Sequence, residues 1–259
     1  MPSIKRQIAN VIERLSGNLV IAPAEVQALP ERRHLARLFA YLGVDCVFDV
    51  GANGGQYAQM LRQGVRFRGP IISYEPIPAI AAQLDQLRHA SGDSAWHVEQ
   101  LALDAEAGPA TFYIAASDQF SSLHRPASDQ PARFASDNKI AQEVTVLRST
   151  VAAELAIWQA RLGFRRPFLK MDTQGNDMAV IEGAGVTLDS FVGIQTEMAV
   201  QRLYEGSATL AESLATLRGK GFEPSAFVPN NDGHFPEMFE VDCILYNVAV
   251  NQRCRDATH

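Results

Sequence analysis

The chain has 259 residues, of which 47% are hydrophobic, 20% charged and 8% aromatic. That composition excludes collagen-like, coiled-coil and disordered classes, and the length predicts one large domain, alone or with an appendage. A formal charge of −6 leaves no clustered cations for a phosphate backbone, so nucleic acid is not an expected partner. The start, MPSIKRQIANVIERL, lacks a signal-type apolar run, and no stretch approaches the roughly 18 apolar residues of a membrane span. A cytoplasmic chain without an integral membrane segment is expected. Ile4, Ile8, Ile12 and Leu15 recur at helical spacing. After Pro23 and Pro30 a second helical pattern, Leu35, Leu38, Phe39 and Leu42, ends at Gly43. Residues 1–43 thus read as a helical N-terminal extension, 44–250 as the main domain and 251–259 as a C-terminal tail.

From Val44 onward, apolar runs alternate with helical patterns, which predicts βαβ units. VDCVFDV (44–50) is a buried-type strand, and GANGG leads into a helix with Tyr57, Met60 and Leu61 on one face, stopped at Gly64. PIISYEP (70–76) is the second strand, Ile80 to Leu87 a helix, WHVEQLAL (96–103) the third strand and ATFYIA (110–115) an added one. Residues 116–140, rich in Ser, Asp, Pro and Gln, are too long for a plain connection and read as a substrate-facing loop or lid. EVTVLRS (143–149) resembles a strand edge, FLKMD (168–172) is a strand, and 176–185 is a short helix closed by glycine. VGIQTEM (192–198), GFEPSAFV (221–228) and VDCILYN (241–247) are the last strands, with a helix at Leu210 to Leu217. The final two are joined without a helix. The predicted fold is therefore α/β: a seven-stranded, mostly parallel sheet with an antiparallel edge hairpin.

In such sheets ligands bind beyond the carboxyl ends of the strands, so Asp49, Glu75, Asp172 and Glu197 should share one rim. Any one of them alone could be a helix cap or a solvated loop carboxylate. The first turn, FDVGANGGQY, supplies Gly51, Gly54 and Gly55, but Asn53 stands where a dinucleotide fingerprint needs its second glycine. An acid just before the turn, Asp49, would repel a diphosphate, yet it could accept a hydrogen bond from an ammonium group or organise the loop around a cationic ligand. Glu75 has the spacing of a carboxylate that holds two ribose hydroxyls. A ribose without phosphate, joined to an amino acid, is what S-adenosylmethionine (SAM) presents, and the helix N-terminus after Gly55 could take its carboxylate. Cys46, Cys243 and Cys254 are an odd, scattered set without CxxC pairing, against a disulfide framework or a cysteine zinc site. Cys46 and Cys243 read as buried small residues, and Trp96 and Trp158 as packing.

The ordered set FDVGANGGQYAQML, ISYEPIPAIAAQL, ALDAEAGPATFYI, FSSL, FLKMDTQGNDMAVIEGAG, VGIQTEMAVQRLYEG and LRGKGFEP…VDCILYN is similar to the FkbM family of SAM-dependent methyltransferases, over about Val44 to Asn247. The resemblance implies a Rossmann-like class I methyltransferase fold for 44–250. It also implies methyl transfer to a hydroxyl of a sugar, glycan or polyketide-type metabolite, releasing S-adenosylhomocysteine (SAH). The family's cofactor positions carry over to Asp49, Gly51, Ala52, Asn53, Gly55, Tyr57, Glu75, Pro76 and Asp172, and the usual adenine contacts to Leu103 and Asp104. Where the family commonly reads D-x-E-G-x-E, this chain has Asp172, Gln174, Gly175 and Asp177, so one carboxylate is an amide.

A protonated alcohol is a poor nucleophile, so a base within reach helps; the candidates are Asp172, then Glu197 and His124. His124, in SSLHRP, could be brought over the acceptor by a mobile loop or be merely solvated. Glu197, Tyr204 and Glu205 could line the acceptor pocket. Asp172, Asp177 and Glu197 could converge on a divalent ion, but capping and solvation account for them better, and no metal is expected. Two rival readings are a nicotinamide oxidoreductase, against which Asn53 speaks, and a nucleoside-binding module without catalysis, motivated by Gln174. Oligomeric state stays open, since the apolar faces of the extension could pack on their own domain or on a second copy.

Overall fold

The computed structural model describes Leu15, Val26 and residues 28–229 and 236–256. Ile4, Ile8 and Ile12 lie outside them, as do residues 230–235 of the turn expected between the last two strands. The main sheet has seven strands in the order β3-β2-β1-β7-β8-β10-β9: β1 (Cys46–Val50), β2 (Ile71–Tyr74), β3 (Trp96–Glu99), β7 (Pro167–Met171), β8 (Gly193–Ala199), β9 (Phe222–Pro229) and β10 (Glu240–Asn247). All residues of β1, β2 and β7 are buried, as expected of central parallel strands covered on both faces. The first five strands pair in parallel, and β10 runs antiparallel to both β8 and β9. The edge hairpin is therefore present, with its second strand inserted next to β8. The chain leaves β1 toward β3 and returns on the other side of β1 at β7, so the topological switch point lies between β1 and β7.

Helix α1 (Ala28–Leu42) buries Leu35, Leu38, Phe39 and Leu42 against this same sheet. The Phe39 ring lies 4.8 Å from that of Phe168 and 5.5 Å from that of Phe67. Helix α2 (Gln56–Met60) continues as a wider turn through Val65, one residue beyond the expected stop. α3 (Pro78–Ser91) starts with Pro at its first turn, where the missing N–H costs nothing. On the other face, α4 (Val151–Leu162) and α5 (Asp177–Ala184) cover Phe48, Tyr74 and Phe191. α6 (Leu210–Gly219) precedes β9. The segment expected as a tail is helical as far as Asp256 in α7 (Val248–Asp256), where Tyr41 Oη donates to Asn251 Oδ1 at 2.9 Å.

The sequence reading of 96–103 as one strand is corrected. The chain leaves the main sheet after Glu99, and β4 (Ala102–Leu103) joins β5 (Gly108–Ala115) and β6 (Ile140–Ser149) in a separate three-stranded sheet, order β4-β6-β5. Two interactions hold it there: Ala102 packs with Phe112 and Val146, and Arg148 Nη1 lies 2.6 Å from Asp104 Oδ2. The strands at 110–115 and 143–149 belong to this second sheet, which hangs over the carboxyl edge of the first. Cys46 and Cys243 are buried and unbridged, and Trp96 and Trp158 are each 2% exposed, in core positions.

Candidate active site

A cavity of about 530 Å³ opens at the carboxyl ends of β1, β2, β7 and β8, roofed by the second sheet and by Gln119, Phe120, Ser121, Leu123 and Phe134 from the 116–140 segment. At one end the β1 turn carries Gly51 and Asn53 with positive φ, 73° and 45°. The Asn53 N–H donates to Glu75 Oε2 and the Ile77 N–H to Glu75 Oε1, each at 2.9 Å. Glu75 is only 5% exposed. Burial lifts its pKa from the ordinary carboxylate range to about 7, while the two backbone N–H groups and Lys170 pull it down. Glu75 lines the cavity, and Pro76, Ile77, Leu101 and Leu103 supply an apolar wall beside it. Such a carboxylate flanked by apolar surface suits the two hydroxyls and the base of a nucleoside.

At the other end, alternate residues of three adjacent strands point into the cavity. Lys170 and Asp172 come from β7 and its end, Gln195 and Glu197 from β8, and Glu240 and Asp242 from β10. Lys170 Nζ is 3.1 Å from Gly51 O, 3.3 Å from Asp49 Oδ1 and 3.7 Å from Asp172 Oδ2. Burial opposes its charge, but Asp49 and Asp172 more than offset that and hold its pKa above the ordinary lysine value. Gln195 accepts from Tyr57 Oη at 2.9 Å and donates to Glu31 Oε1 at 2.8 Å, so α1 contributes to the cavity wall. Gln174, itself at φ 54°, donates from Nε2 to Asp172 Oδ1 (2.8 Å) and Glu197 Oε2 (3.1 Å), while Tyr204 Oη donates to its Oε1 (2.8 Å). A glutamate at 174 would put a third carboxylate there; the amide supplies the donor that lets the other two sit together. Burial and the neighbouring acids raise the pKa of Glu197 well above the carboxylate range.

Gly51, Ala52, Asn53, Tyr57, Glu75, Pro76, Leu103, Asp172 and Glu197 thus share one cavity, whereas Asp49, Gly55, Asp104, His124, Asp177, Tyr204 and Glu205, also named in the sequence reading, do not line it. Asp49 lies behind the turn, fully buried, accepting from Ser73 Oγ at 3.0 Å and paired with Lys170, so its carboxylate faces the sheet interior and not a ligand. Gly55 turns toward Leu84 and Trp96. The Asp104 carboxylate is committed to Arg148 and to the Ala105 N–H. His124 sits behind Asn176, with its Nε2 3.0 Å from Asn176 Oδ1. Asp177 is likewise internal, holding the 172–177 turn through the Thr173 N–H and hydroxyl and the Thr196 hydroxyl. Glu205 is exposed, and Tyr204 acts from beneath Gln174. Lys170, Gln195, Glu240, Asp242 and Glu31 went unread, although polar residues at i and i+2 in otherwise apolar strands (LKMD, IQTE, FEVD) are the signal of one polar strand face. Among the described residues no group of three His, Cys, Asp or Glu side chains is arranged to hold a metal ion, and no helix is long and apolar enough to cross a membrane.

The strand order, the glycine turn and the carboxylate after β2 define a Rossmann-like class I methyltransferase. The family model of the methyltransferase FkbM domain matches residues 49–224, and the chain belongs to that family. SAM is accordingly its cofactor. Lys170, the only cation on the cavity wall among the described residues, is already engaged by acids, which leaves nothing to neutralise a diphosphate. Among curated proteins none matches. Solved structures that it resembles include an FkbM methyltransferase from Methylobacillus flagellatus KT, with 12% identity, a TM-score of 0.49 and coverage of 78% of this chain and 44% of that one. The chain therefore spans less than half the length of that relative. Others are magnesium protoporphyrin IX methyltransferase from Synechocystis PCC 6803 with bound SAH (10% identity, TM-score 0.47, 94% and 99% covered) and an rRNA methylase from Streptococcus thermophilus (8%, 0.43, 89% and 99%).

Proposed function

We propose that the chain methylates a hydroxyl of a sugar, glycan or polyketide-type metabolite in the cytoplasm, with Asp172 as the general base and Glu75 as the ribose anchor. The observation that carries this reading is Asp172: a carboxylate at the end of β7, 43% exposed, on the wall of the cavity whose other end holds Glu75. The cofactor supplies an electrophilic methyl carbon on a sulfonium. Asp172 would take the proton from the acceptor hydroxyl, leaving its oxygen able to accept that methyl group. Gln174 orients Asp172, and Lys170 holds the turn through Gly51 O. Glu197 is placed to accept from another acceptor hydroxyl.

Thermal shift with SAH against NADH tests the cofactor, and a panel of hydroxylated acceptors with labelled SAM tests the reaction. SAH at a hundred times its dissociation constant adds about 2.7 kcal/mol, or roughly 5 to 11 °C for a domain of this size. A shift with NADH alone would overturn the reading; SAH binding without transfer to any hydroxyl would leave a binding module.

The Glu75 pKa makes cofactor affinity depend on pH. Ribose hydroxyls bind the ionised carboxylate better, so SAH affinity should rise between pH 6 and 8 and be about tenfold weaker at pH 6 than on the plateau. The ligand-free fold follows the opposite sign. A carboxyl raised from 4.5 to about 7 contributes stability below pH 4.5 that is lost as pH climbs through 7. In Glu75→Gln an amide NH₂ must face a backbone N–H, so affinity should fall at all pH values and its slope flatten. Calorimetric titration of both forms reads this, and an unchanged slope in the variant would remove Glu75 as its source.

A further inference from the structure

The inner end of the cavity holds more acidic groups than the cofactor explains. Five carboxyl groups, Glu31, Asp172, Glu197, Glu240 and Asp242, line it against one lysine, and that lysine is engaged by Asp49 and Asp172. Glu197 and Asp242 stand directly opposite each other in the β8–β10 ladder, an arrangement of like charges that weakens a sheet unless something lies between or above them. Glu240, two residues along the same face of β10, adds a third. Asp242 and Glu240 are half-buried and line the cavity, and neither makes a hydrogen bond or ion pair among the described residues. Burial and the nearby acids push both pKa values up to about 8, with Lys170 pulling Asp242 partly back, so a cation seated beside them would draw both into the charged form.

The cofactor's own cations do not reach this place. From β2, which carries Glu75, to β10 is four strand spacings, roughly 19 Å, farther than the methionine half of SAM extends from its ribose. A divalent ion is also a poor fit, because no three of these side chains converge closely enough to share one. An organic cation spreads its charge over a larger volume, and the rings of Phe120, Phe134 and Phe239, which pack together on the same wall, offer it aromatic surface.

We propose that the acceptor carries a cationic nitrogen group, seated against Glu240, Asp242 and Glu197 beside the phenylalanine wall, while its hydroxyl faces Asp172. This rests on the methyltransferase reading and names the substrate class within it: amine-bearing or quaternary-ammonium alcohols. Neutral sugars and polyketides would leave the β10 carboxyl groups without a charged partner.

A matched pair of probes separates charge from shape: choline, a hydroxylated cation that does not titrate, and its neutral carbon isostere 3,3-dimethylbutan-1-ol. With the full chain saturated with SAH, calorimetry should show choline binding at least tenfold more tightly than the isostere. The double variant Glu240→Gln/Asp242→Asn should abolish that preference while keeping SAH affinity within about threefold, which also shows that it folds. Equal binding of the two probes, or binding of neither, overturns the proposal. Magnesium chloride is the third arm: saturable binding of Mg²⁺ at millimolar concentration that the double variant loses would make this a metal site and overturn the proposal equally. Loss of SAH binding in the unaltered chain would instead sink the methyltransferase reading beneath it, so the two failures are distinguishable.

Discussion

Asp172→Asn is expected to lower the methyl-transfer rate by roughly 10² to 10⁴-fold, the range for loss of a positioned general base, while SAH affinity stays within about threefold. The amide keeps the size of the side chain and an oxygen that can still accept from Gln174 Nε2, now at 2.8 Å from Asp172 Oδ1. It cannot take a proton. The charge next to Lys170 is lost, but Lys170 keeps its contacts with Asp49 and Gly51 O, so the cofactor turn should hold. Single-turnover measurement with the first acceptor that the panel turns over, beside calorimetry with SAH, separates chemistry from binding. Turnover within threefold of the unaltered chain would remove Asp172 as base. The next carboxyl group on that wall is Glu197, which shares the Gln174 amide.

The parts of this molecule that could be read from its residues are those with a strict local rule. Buried parallel strands are unbroken apolar runs, so CVFDV, IISY and PFLKM stand out, and the two closing strands without an intervening helix announce the antiparallel edge. Glu75 is legible because its distance from the glycine turn is set by one βαβ unit. Asp49 illustrates why the rest is not: its place in the chain matches a ligand contact, but Lys170, over a hundred residues away, draws its carboxylate inward. Asp104 is diverted in the same way by Arg148, and His124 by Asn176. Such pairings exist only after the sheet is assembled. The departure of β4 from the main sheet depends on Phe112 and Val146 arriving from elsewhere, and no pattern within 96–103 encodes it. Glu240 and Asp242 reach the carboxyl rim only because β10 runs antiparallel, which places the start of that strand where its neighbours end.

Gly51→Ala should cost about 2 to 5 kcal/mol and abolish SAH binding in whatever folds. At φ +73° an added Cβ carries the left-handed penalty of roughly 1–2 kcal/mol. It would also sit 1.9 Å from the carbonyl oxygen of Asp172, a backbone atom that cannot swing aside. Relieving that overlap forces β1 and β7 apart at the switch point, at a further 1–3 kcal/mol or so by the scale of overpacked cores. Gly92→Ala is the matched control: its φ is +68° and nothing lies within 4 Å of the new Cβ, so it should show the conformational penalty alone. Urea unfolding of both variants therefore isolates the close approach as their difference, corresponding to a further fall in melting temperature of roughly 2–4 °C per kcal/mol. Equal costs would mean that the crossing of the two turns is pliable. The contact matters to function because Gly51 O is held by Lys170 and the Gly51 Cα faces the Asp172 carbonyl. The missing side chain thus sets the separation between the cofactor turn and the residue proposed as base, and a methyl group inserted there moves the two apart.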